Sequence, residues 1–214
     1  MSEIMHNTVF TIGHSTHTQE HFLSLLRLQG ITALCDVRSK PYSRVNPQFN
    51  REELSESLLA CRIKYVFLGK ELGARSEDPA CYDHGKVQYE RLAQTELFRL
   101  GLKRVQKGMK DYRLVLMCAE KEPLACHRTI LVARHLVAFG IIVQHIHADG
   151  TLENHTDALR RLAKTLNLRE DEHDLFRTRE DLFAQAYRLQ EGRIAYEPSD
   201  LAPADVRALR SAAG

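Results

Sequence analysis

The sequence predicts an α/β fold, an open and mostly parallel sheet of roughly five strands with helices on both faces and a helical C-terminal extension. Three observations support this. Short apolar runs alternate with segments whose apolar residues recur every three or four positions. Glycine and proline turns separate these segments. The chain, at 214 residues, is also long enough to bury the core of one such domain.

The first half of the chain alternates strictly between the two patterns. Its strand segments are continuous apolar runs, which is typical of parallel strands covered on both faces. Its helices begin after a capping threonine or asparagine, and the first ends at a glycine. In chain order we expect a strand at 8–12, a helix from Thr18 to Gly30, a strand at 31–37, a helix capped by Asn50 and a strand at 64–68.

The second half continues the alternation up to the Asp149-Gly150 turn. Strands followed by helices in this order imply a parallel sheet with right-handed crossovers. We expect one α/β domain over residues 1–150 and a helical extension over 151–214 with a loose alanine-rich tail from Pro198. The predicted elements are a long helix at 87–106, strands at 114–117 and 141–147 with a helix ending at Gly140 between them, and helices near 159–166 and 175–189.

The composition excludes several classes of protein. A formal net charge of +2 lacks the strongly basic balance of a dedicated nucleic-acid binder, although a local basic cleft would not alter it. No apolar run approaches the length of a membrane span, and the polar start of the chain does not read as a signal peptide. The 5 cysteines, an odd number without regular spacing, fit a reducing cytosol. We therefore expect a cytoplasmic protein.

The segment from Met117 to Arg128, MCAEKEPLACHR, is the most informative part of the chain. It follows the apolar run at 114–117 and precedes an apolar helical series at 130–139. Open α/β sheets bind ligands at the carboxyl ends of their strands, next to helix N-termini that supply free N–H groups. Two cysteines, a glutamate, a histidine and an arginine at this point indicate a functional site.

Cys118 closes its predicted strand, so its sulfur should face the mouth of the sheet. A thiolate near a helix N-terminus and cationic side chains has a lowered pKa and becomes a nucleophile. The alternative is that Cys118 is a small buried apolar residue. Glu120 is predicted to act as a general base or to orient the nucleophile, or else to cap the helix or pair with Arg128.

The second thiol is more ambiguous. If the helix begins near Pro123, Cys126 shares a face with Ile130, Ala133 and Val137 and packs on the sheet. His127 and Arg128 gain nothing from a positive helix end, so an anion bound in the loop explains them better. We expect Cys118, Glu120 and His127 to be catalytic, Arg128 to bind an anion and Cys126 to be a possible second thiol.

Other strand ends carry polar residues as well. Asp36 and Arg38 end the second strand, and His14 and Ser15 follow the first. His145 and His147 share a face of the last predicted strand. Because parallel strands end at one edge of a sheet, these side chains are expected to meet Cys118 there, with Asp36, Arg38, His14 and Ser15 binding the anion.

A zinc site is a competing interpretation. Cys118, Cys126, His127 and another histidine would supply four ligands. However, no CxxC pair is present, and the eight-residue step between the cysteines is unusual for zinc. The sequence therefore identifies neither a metal nor another cofactor.

Three motifs occur in order: TIGHS at 11–15, DVRSKPYS at 36–43 and CAEKEPLACHR at 118–128. With them, the chain resembles the bacterial and archaeal family catalogued as domain of unknown function 488 over residues 8–150. The resemblance implies no established activity, but it adds Ser43 to the anion-binding set. A weaker likeness is to the rhodanese and related phosphatase fold. Leu124 stands where a phosphatase loop would need an arginine, which argues against direct phosphoryl or sulfur transfer by Cys118.

Three functions remain in competition. The first is a cysteine-dependent transferase or hydrolase acting on an anionic small molecule or on a nucleotide or nucleic-acid group. The second is a non-catalytic module that binds or senses a nucleotide or nucleic acid with the same anion contacts. The third is a metal-dependent protein with cysteine and histidine ligands. The balanced charge does not support nucleic acid as the main partner.

Overall fold

The computed structural model describes residues 7–168 and 178–198. Their central feature is a six-stranded sheet in the order β3-β2-β6-β1-β7-β8, accompanied by a small hairpin of β4 and β5. The first five strands of the sheet run parallel, and β8 pairs antiparallel with β7. The strands are β1 (Thr8–Gly13), β2 (Ala33–Asp36), β3 (Lys64–Phe67), β4 (Tyr82–Asp83), β5 (Lys86–Val87), β6 (Leu114–Cys118), β7 (Ile142–Ile146) and β8 (Leu152–Asn154).

Helices cover both faces of this sheet, as the sequence predicts. In the described ranges they are α1 (Gln19–Leu28), α2 (Arg51–Ala60), α3 (Gly69–Leu72), α4 (Tyr89–Gln94), α5 (Glu96–Gly108), α6 (Arg134–Ala138), α7 (His155–Thr165) and α8 (Arg179–Ile194). A π-helical segment, Arg128–Ala133, leads directly into α6. None of the helices in the described part of the chain is long and apolar enough to cross a membrane.

The buried apolar residues form two clusters. One places α1 and α2 against one face of the sheet, with Phe22 and Leu54 fully buried beside Leu34 of β2. The other joins the opposite face to α3 to α8, and Phe98 and Leu116 lie at its centre. Because β6 is buried along its whole length and lies between β1 and β2, it holds the central position expected from its apolar run.

Three local predictions are wrong. The long helix predicted at 87–106 is two helices, because the Thr95 hydroxyl accepts a hydrogen bond from the backbone N–H of Phe98 at 3.2 Å and so begins α5. No helix begins at Pro123. A short 3₁₀ turn, Pro123–Ala125, ends at Cys126, whose backbone is extended, so Cys126 does not lie on the helix face with Ile130. Asn50 begins α2 without a side-chain cap, since its Oδ1 accepts from the N–H of Ser43.

The region beyond residue 150 is more closely joined to the sheet than expected. It contributes β8, which the sequence did not predict, and then α7 and α8. Ala158, Leu159, Leu162 and Ala186 of these helices belong to the main apolar cluster. The predicted loose tail falls on residues 199–214, outside the described residues.

Candidate active site

The carboxyl ends of β1, β2 and β6 meet at one edge of the sheet. The strand register places Gly13 beside Cys118 and Asp36 beside Met117. Beyond β6 the pairing continues for two residues, because the N–H groups of His14 and Ser15 donate to the carbonyls of Cys118 and Ala119, both at 2.9 Å. The first strand therefore supports the start of the CAE loop.

Gly13 is required by this close approach. A Cβ atom at this position would lie 1.8 Å from the carbonyl oxygen of Glu120, far inside van der Waals contact. The absence of a side chain thus allows the loop after β6 to fold against the end of β1.

Four side chains converge at this edge, and we call them the thiol cluster: Cys118, Glu120, Cys126 and His127. The Oε2 atom of Glu120 lies 3.0 Å from Sγ of Cys118 and 2.9 Å from Sγ of Cys126. The Nδ1 atom of His127 lies 3.6 Å from the first sulfur and 3.9 Å from the second. A strand end and the loop that follows it thus bring two thiols, a carboxyl group and an imidazole together.

The imidazole of His127 has a fixed orientation. Its Nε2 atom lies 3.1 Å from the carbonyl oxygen of Val37. Because a carbonyl only accepts hydrogen bonds, Nε2 carries the hydrogen, and in the neutral ring Nδ1 presents its lone pair to the two sulfurs. The residue after β2 therefore sets the tautomer of a ring at the end of β6.

Cys118, Cys126 and His127 are buried, whereas Glu120 is partly open to solvent, and the pKa of each group depends on its neighbours in the cluster. Burial raises the pKa of the Cys118 thiol well above its usual value. Burial also opposes ionisation of Cys126, but the Cys118 hydrogen bond and the positive charges of Arg128 and His127 hold its pKa well below the usual value. Burial and the Cys126 sulfur raise the pKa of Glu120. Burial opposes protonation of His127, but the Cys126 sulfur, the charge of Glu120 and the Val37 carbonyl together raise its pKa. Cys126 is thus the favoured thiolate.

Arg128 does not reach the cavity. Its side chain is completely buried, and Nη1 and Nη2 donate to the carbonyls of Glu120 and Lys121 at 2.7 and 3.3 Å. Its Nε has no hydrogen-bond partner in the described part of the chain. Arg128 therefore holds the loop in place, and the structure does not bring it together with Arg38 as an anion clamp.

Arg38 and Asp36 form a buried pair beside the cluster. Nε and Nη2 of Arg38 donate to the two carboxylate oxygens at 2.9 and 2.7 Å, and Tyr65 donates to the same carboxylate. His14 completes the group: its Nδ1 donates to the Ser15 carbonyl, and its Nε2 accepts from Nη1 of Arg38 at 3.2 Å. Burial lowers the pKa of His14 to about 4, so the ring is neutral.

Two adjoining cavities open at this edge. The first, of about 440 Å³, is lined by all four residues of the thiol cluster, and the second, of about 400 Å³, is lined by His14, Ser15 and Ser43. Arg38, Lys40, Ala119 and Glu120 line both. Both volumes are in the range of small-molecule sites. Of the nine catalytic and anion-site residues predicted from sequence, the following line a cavity: Cys118, Glu120, His127, Arg38, His14, Ser15 and Ser43.

Other polar residues near the strand ends make hydrogen bonds that hold the fold or its loops. His145 is buried between Thr11 and His155, and His147 lies 3.0 Å from Glu153 across β7 and β8. Ser43 orders its own loop, since its hydroxyl accepts from the N–H groups of Val45 and Asn46. The prediction that His147 lies beside Cys118 is not supported.

Arg75, the last residue of α8 (Ile194) and the three residues after it (195–197) also line the first cavity, and none of them was predicted from the sequence. They lie far from the motifs in the chain and carry no local pattern. Lys40, which lines both cavities, lies inside the DVRSKPYS motif and could have been found there.

The parallel sheet and the thiol cluster at its carboxyl edge define an α/β protein with a ligand-sized site built by the CAE loop. The chain belongs to the family described as domain of unknown function DUF488, whose model matches residues 18–135. This match ends before β7, α7 and α8. No curated protein and no solved structure matches the chain.

Proposed function

We propose that the protein is a metal-dependent hydrolase, in which Cys118, Cys126 and His127 bind a divalent transition-metal ion such as Zn²⁺. One observation carries the proposal: the two sulfurs and the His127 nitrogen all lie within 4.8 Å of one another and belong to buried side chains. Thiolate and imidazole are the ligands that zinc prefers in proteins.

The distances fit a tetrahedral ion. Bonds of about 2.3 Å to sulfur and about 2.0 Å to nitrogen place a sulfur and a nitrogen about 3.5 Å apart in that geometry. The two sulfur–nitrogen distances are 3.6 and 3.9 Å. The Val37 carbonyl also holds His127 in the manner typical of metal-binding histidines, which donate their other N–H to a carbonyl or carboxylate.

Three protein ligands leave a fourth position for water, which is the arrangement of catalytic rather than structural zinc sites. The Oε2 atom of Glu120 lies 3.0 and 2.9 Å from the two sulfurs, and Glu120 follows the proposed ligand Cys118 by two residues, as the glutamate of zinc deaminases follows theirs. With the ion bound, the site would supply an activated water for attack on an electrophilic carbon; Glu120 would accept the proton that this water loses and would donate it to the leaving group as the bond to that group breaks. Arg38, Lys40 and Arg75 line the cavity and favour an anionic substrate.

Metal analysis tests the proposal. After incubation with Zn²⁺ and gel filtration, the full-length protein should retain one ion per chain, whereas Cys118→Ser, Cys126→Ser and His127→Gln should lose it. The control is Cys61→Ser, which removes a thiol beside Arg27 and away from the cluster, and should bind like the wild type. Equal retention by all four variants and the wild type would contradict the proposal.

The Glu120→Gln variant separates two roles for the carboxylate. As a general base, Glu120 is dispensable for metal binding, so the variant should keep the ion and the wild-type spectrum of the Co²⁺-substituted protein. If Glu120 is instead a fourth ligand, the visible bands of bound Co²⁺ should change, and a hydrolytic role would be contradicted because no position remains for water.

A cysteine-dependent transferase or hydrolase is the second candidate. Cys126 precedes the helical turns at 128–138, its sulfur lies 3.5 Å from the N–H of Arg128, and this setting stabilises a thiolate. Such an enzyme would keep its reactivity after chelation, and iodoacetamide would label Cys126 much faster than Cys35 or Cys81. A third candidate, a non-catalytic nucleotide-binding module, would retain ligand binding in Cys118→Ser, because binding would need only the cationic residues of the cavity, Arg38, Lys40 and Arg75.

A further inference from the structure

The last residue of α8 and the segment after it form one wall of the cavity that contains the thiol cluster. Ile194, Ala195, Tyr196 and Glu197 are successive residues of this wall. They lie outside the part of the chain that the family model matches, which ends at residue 135. The C-terminal extension therefore completes a site whose reactive groups all come from the family domain.

Contacts with several parts of the family domain hold this wall in position. The carbonyl of Tyr196 accepts from the N–H of Val87 at 2.9 Å. Within α8, the side-chain amide of Gln190 donates to the carbonyl of Leu124 at 2.8 Å and so connects this helix to the CAE loop. Glu191 accepts from the N–H of Tyr89 at 2.7 Å. The wall is thus bonded to Val87, and the helix that leads into it is bonded to Tyr89 and to the CAE loop.

Tyr196 is the bulkiest side chain of the wall and also positions a cation. The guanidinium of Arg75 lies over its ring, 4.2 Å from the centroid, and both residues line the cavity. Stacking of this kind restricts a long side chain that would otherwise extend into solvent. Removal of the ring would both widen the entrance and release Arg75.

We propose that Tyr196 is a specificity-determining residue that limits the size of the molecules reaching the thiol cluster and keeps Arg75 at the entrance for anionic ones. The inference rests on the proposed role of this cavity as the reaction site. It assigns to the C-terminal extension the selection of substrates and to the family domain the chemistry.

Thiol labelling of the metal-free, full-length protein tests this without a known substrate. The probes are iodoacetamide, which is small and neutral, iodoacetate, which is small and anionic, and N-phenylmaleimide, which is bulky. Rates at Cys118 and Cys126 are followed by peptide mass mapping. In Tyr196→Ala, N-phenylmaleimide should react about tenfold faster than in the wild type, while iodoacetamide changes little. The preference for iodoacetate over iodoacetamide should fall.

Tyr196→Phe is the matched control, because it keeps the ring over Arg75 and should label like the wild type. Cys35 lies in the apolar core and reports unfolding. If Tyr196→Ala exposes Cys35, Tyr196→Leu decides in its place. Equal acceleration of both neutral reagents, no acceleration of the bulky one, or the same gain in Tyr196→Phe would overturn the inference. Zinc retention is read separately, so a failure of this wall is distinguishable from a failure of the metal site.

Discussion

His155 lies in a buried chain of hydrogen bonds that joins the C-terminal helices to the sheet. Its Nδ1 lies 3.1 Å from Nε2 of His145, its Nε2 lies 2.6 Å from the hydroxyl of Tyr187, and His145 in turn contacts Thr11 at 2.8 Å. Burial lowers the pKa of His155 to about 4. A protonated ring would place a charge in the buried space between β7, α7 and α8, which the attraction of Glu153 offsets only in part.

The depressed pKa predicts acid sensitivity with a defined direction. The unfolded chain binds more protons than the folded one between the unfolded value of 6.5 and the folded value of about 4. The stability due to neutral His155 is therefore complete above this window and is lost as the pH falls through it. The loss amounts to about 2 kcal/mol between pH 7 and pH 5, and to about 3 kcal/mol once both states are protonated.

Urea unfolding at pH 7 and pH 5 measures this loss. The His155→Gln variant keeps an amide that can bond to Tyr187, but it cannot take up the proton. It should be less stable than the wild type at pH 7 and should lose about 2 kcal/mol less between the two pH values. His21→Gln, which changes an exposed ring, should leave the pH dependence unaltered. An equal loss in His155→Gln and the wild type would refute the assignment.

Two further predictions concern the supports of the site. Gly13→Ala places a Cβ 1.8 Å from the Glu120 carbonyl, so it should destabilise the protein by about 1–3 kcal/mol in urea unfolding and abolish zinc retention. The control is Gly85→Ala, where the Cβ has open space but φ is positive. It should reduce stability while leaving zinc retention intact. Asp36→Asn leaves the buried Arg38 without its counter-charge and should cost about 3–5 kcal/mol, whereas Tyr65→Phe removes one hydrogen bond to the same carboxylate and should cost about 1 kcal/mol. A similar stability loss in both of these variants would show that the charge of Asp36 is not what Arg38 requires.

The sheet could be predicted from the sequence because the pattern of apolar residues along the chain matches the pattern of buried residues in the folded protein. Continuous apolar runs marked the five parallel strands, and strand alternation with helices implied their direction. The predictions failed where a single side chain sets the start of a helix or where a strand is very short. Thr95 interrupts an otherwise continuous apolar stripe, and β8 has only 3 residues, led by an exposed Leu152. Neither feature alters the period of the pattern.

The candidate site could be predicted in part for the same reason. A parallel strand that ends in Cys118 must present it at the edge where the strands of His14 and Asp36 also end. The structural role of Arg128 could not be predicted from the order of the strands. It depends on where the carbonyls of Glu120 and Lys121 fold back, and a guanidinium donates to carbonyls as readily as to anions.

The geometry of the thiol cluster supports the proposal of a metal site over that of a cysteine nucleophile. A cysteine nucleophile needs only one thiol beside one base, whereas a metal ion would use both thiols as ligands. Here both sulfurs, 3.6 and 3.9 Å from Nδ1, face an imidazole whose orientation is fixed by the Val37 carbonyl. Two soft ligands and one imidazole around a common point form the donor set of a metal ion. The unusual spacing of the two cysteines in the sequence does not argue against this site. Cys118 ends β6, and Cys126 is an extended residue after a 3₁₀ turn, so the fold brings them together regardless of their separation in sequence.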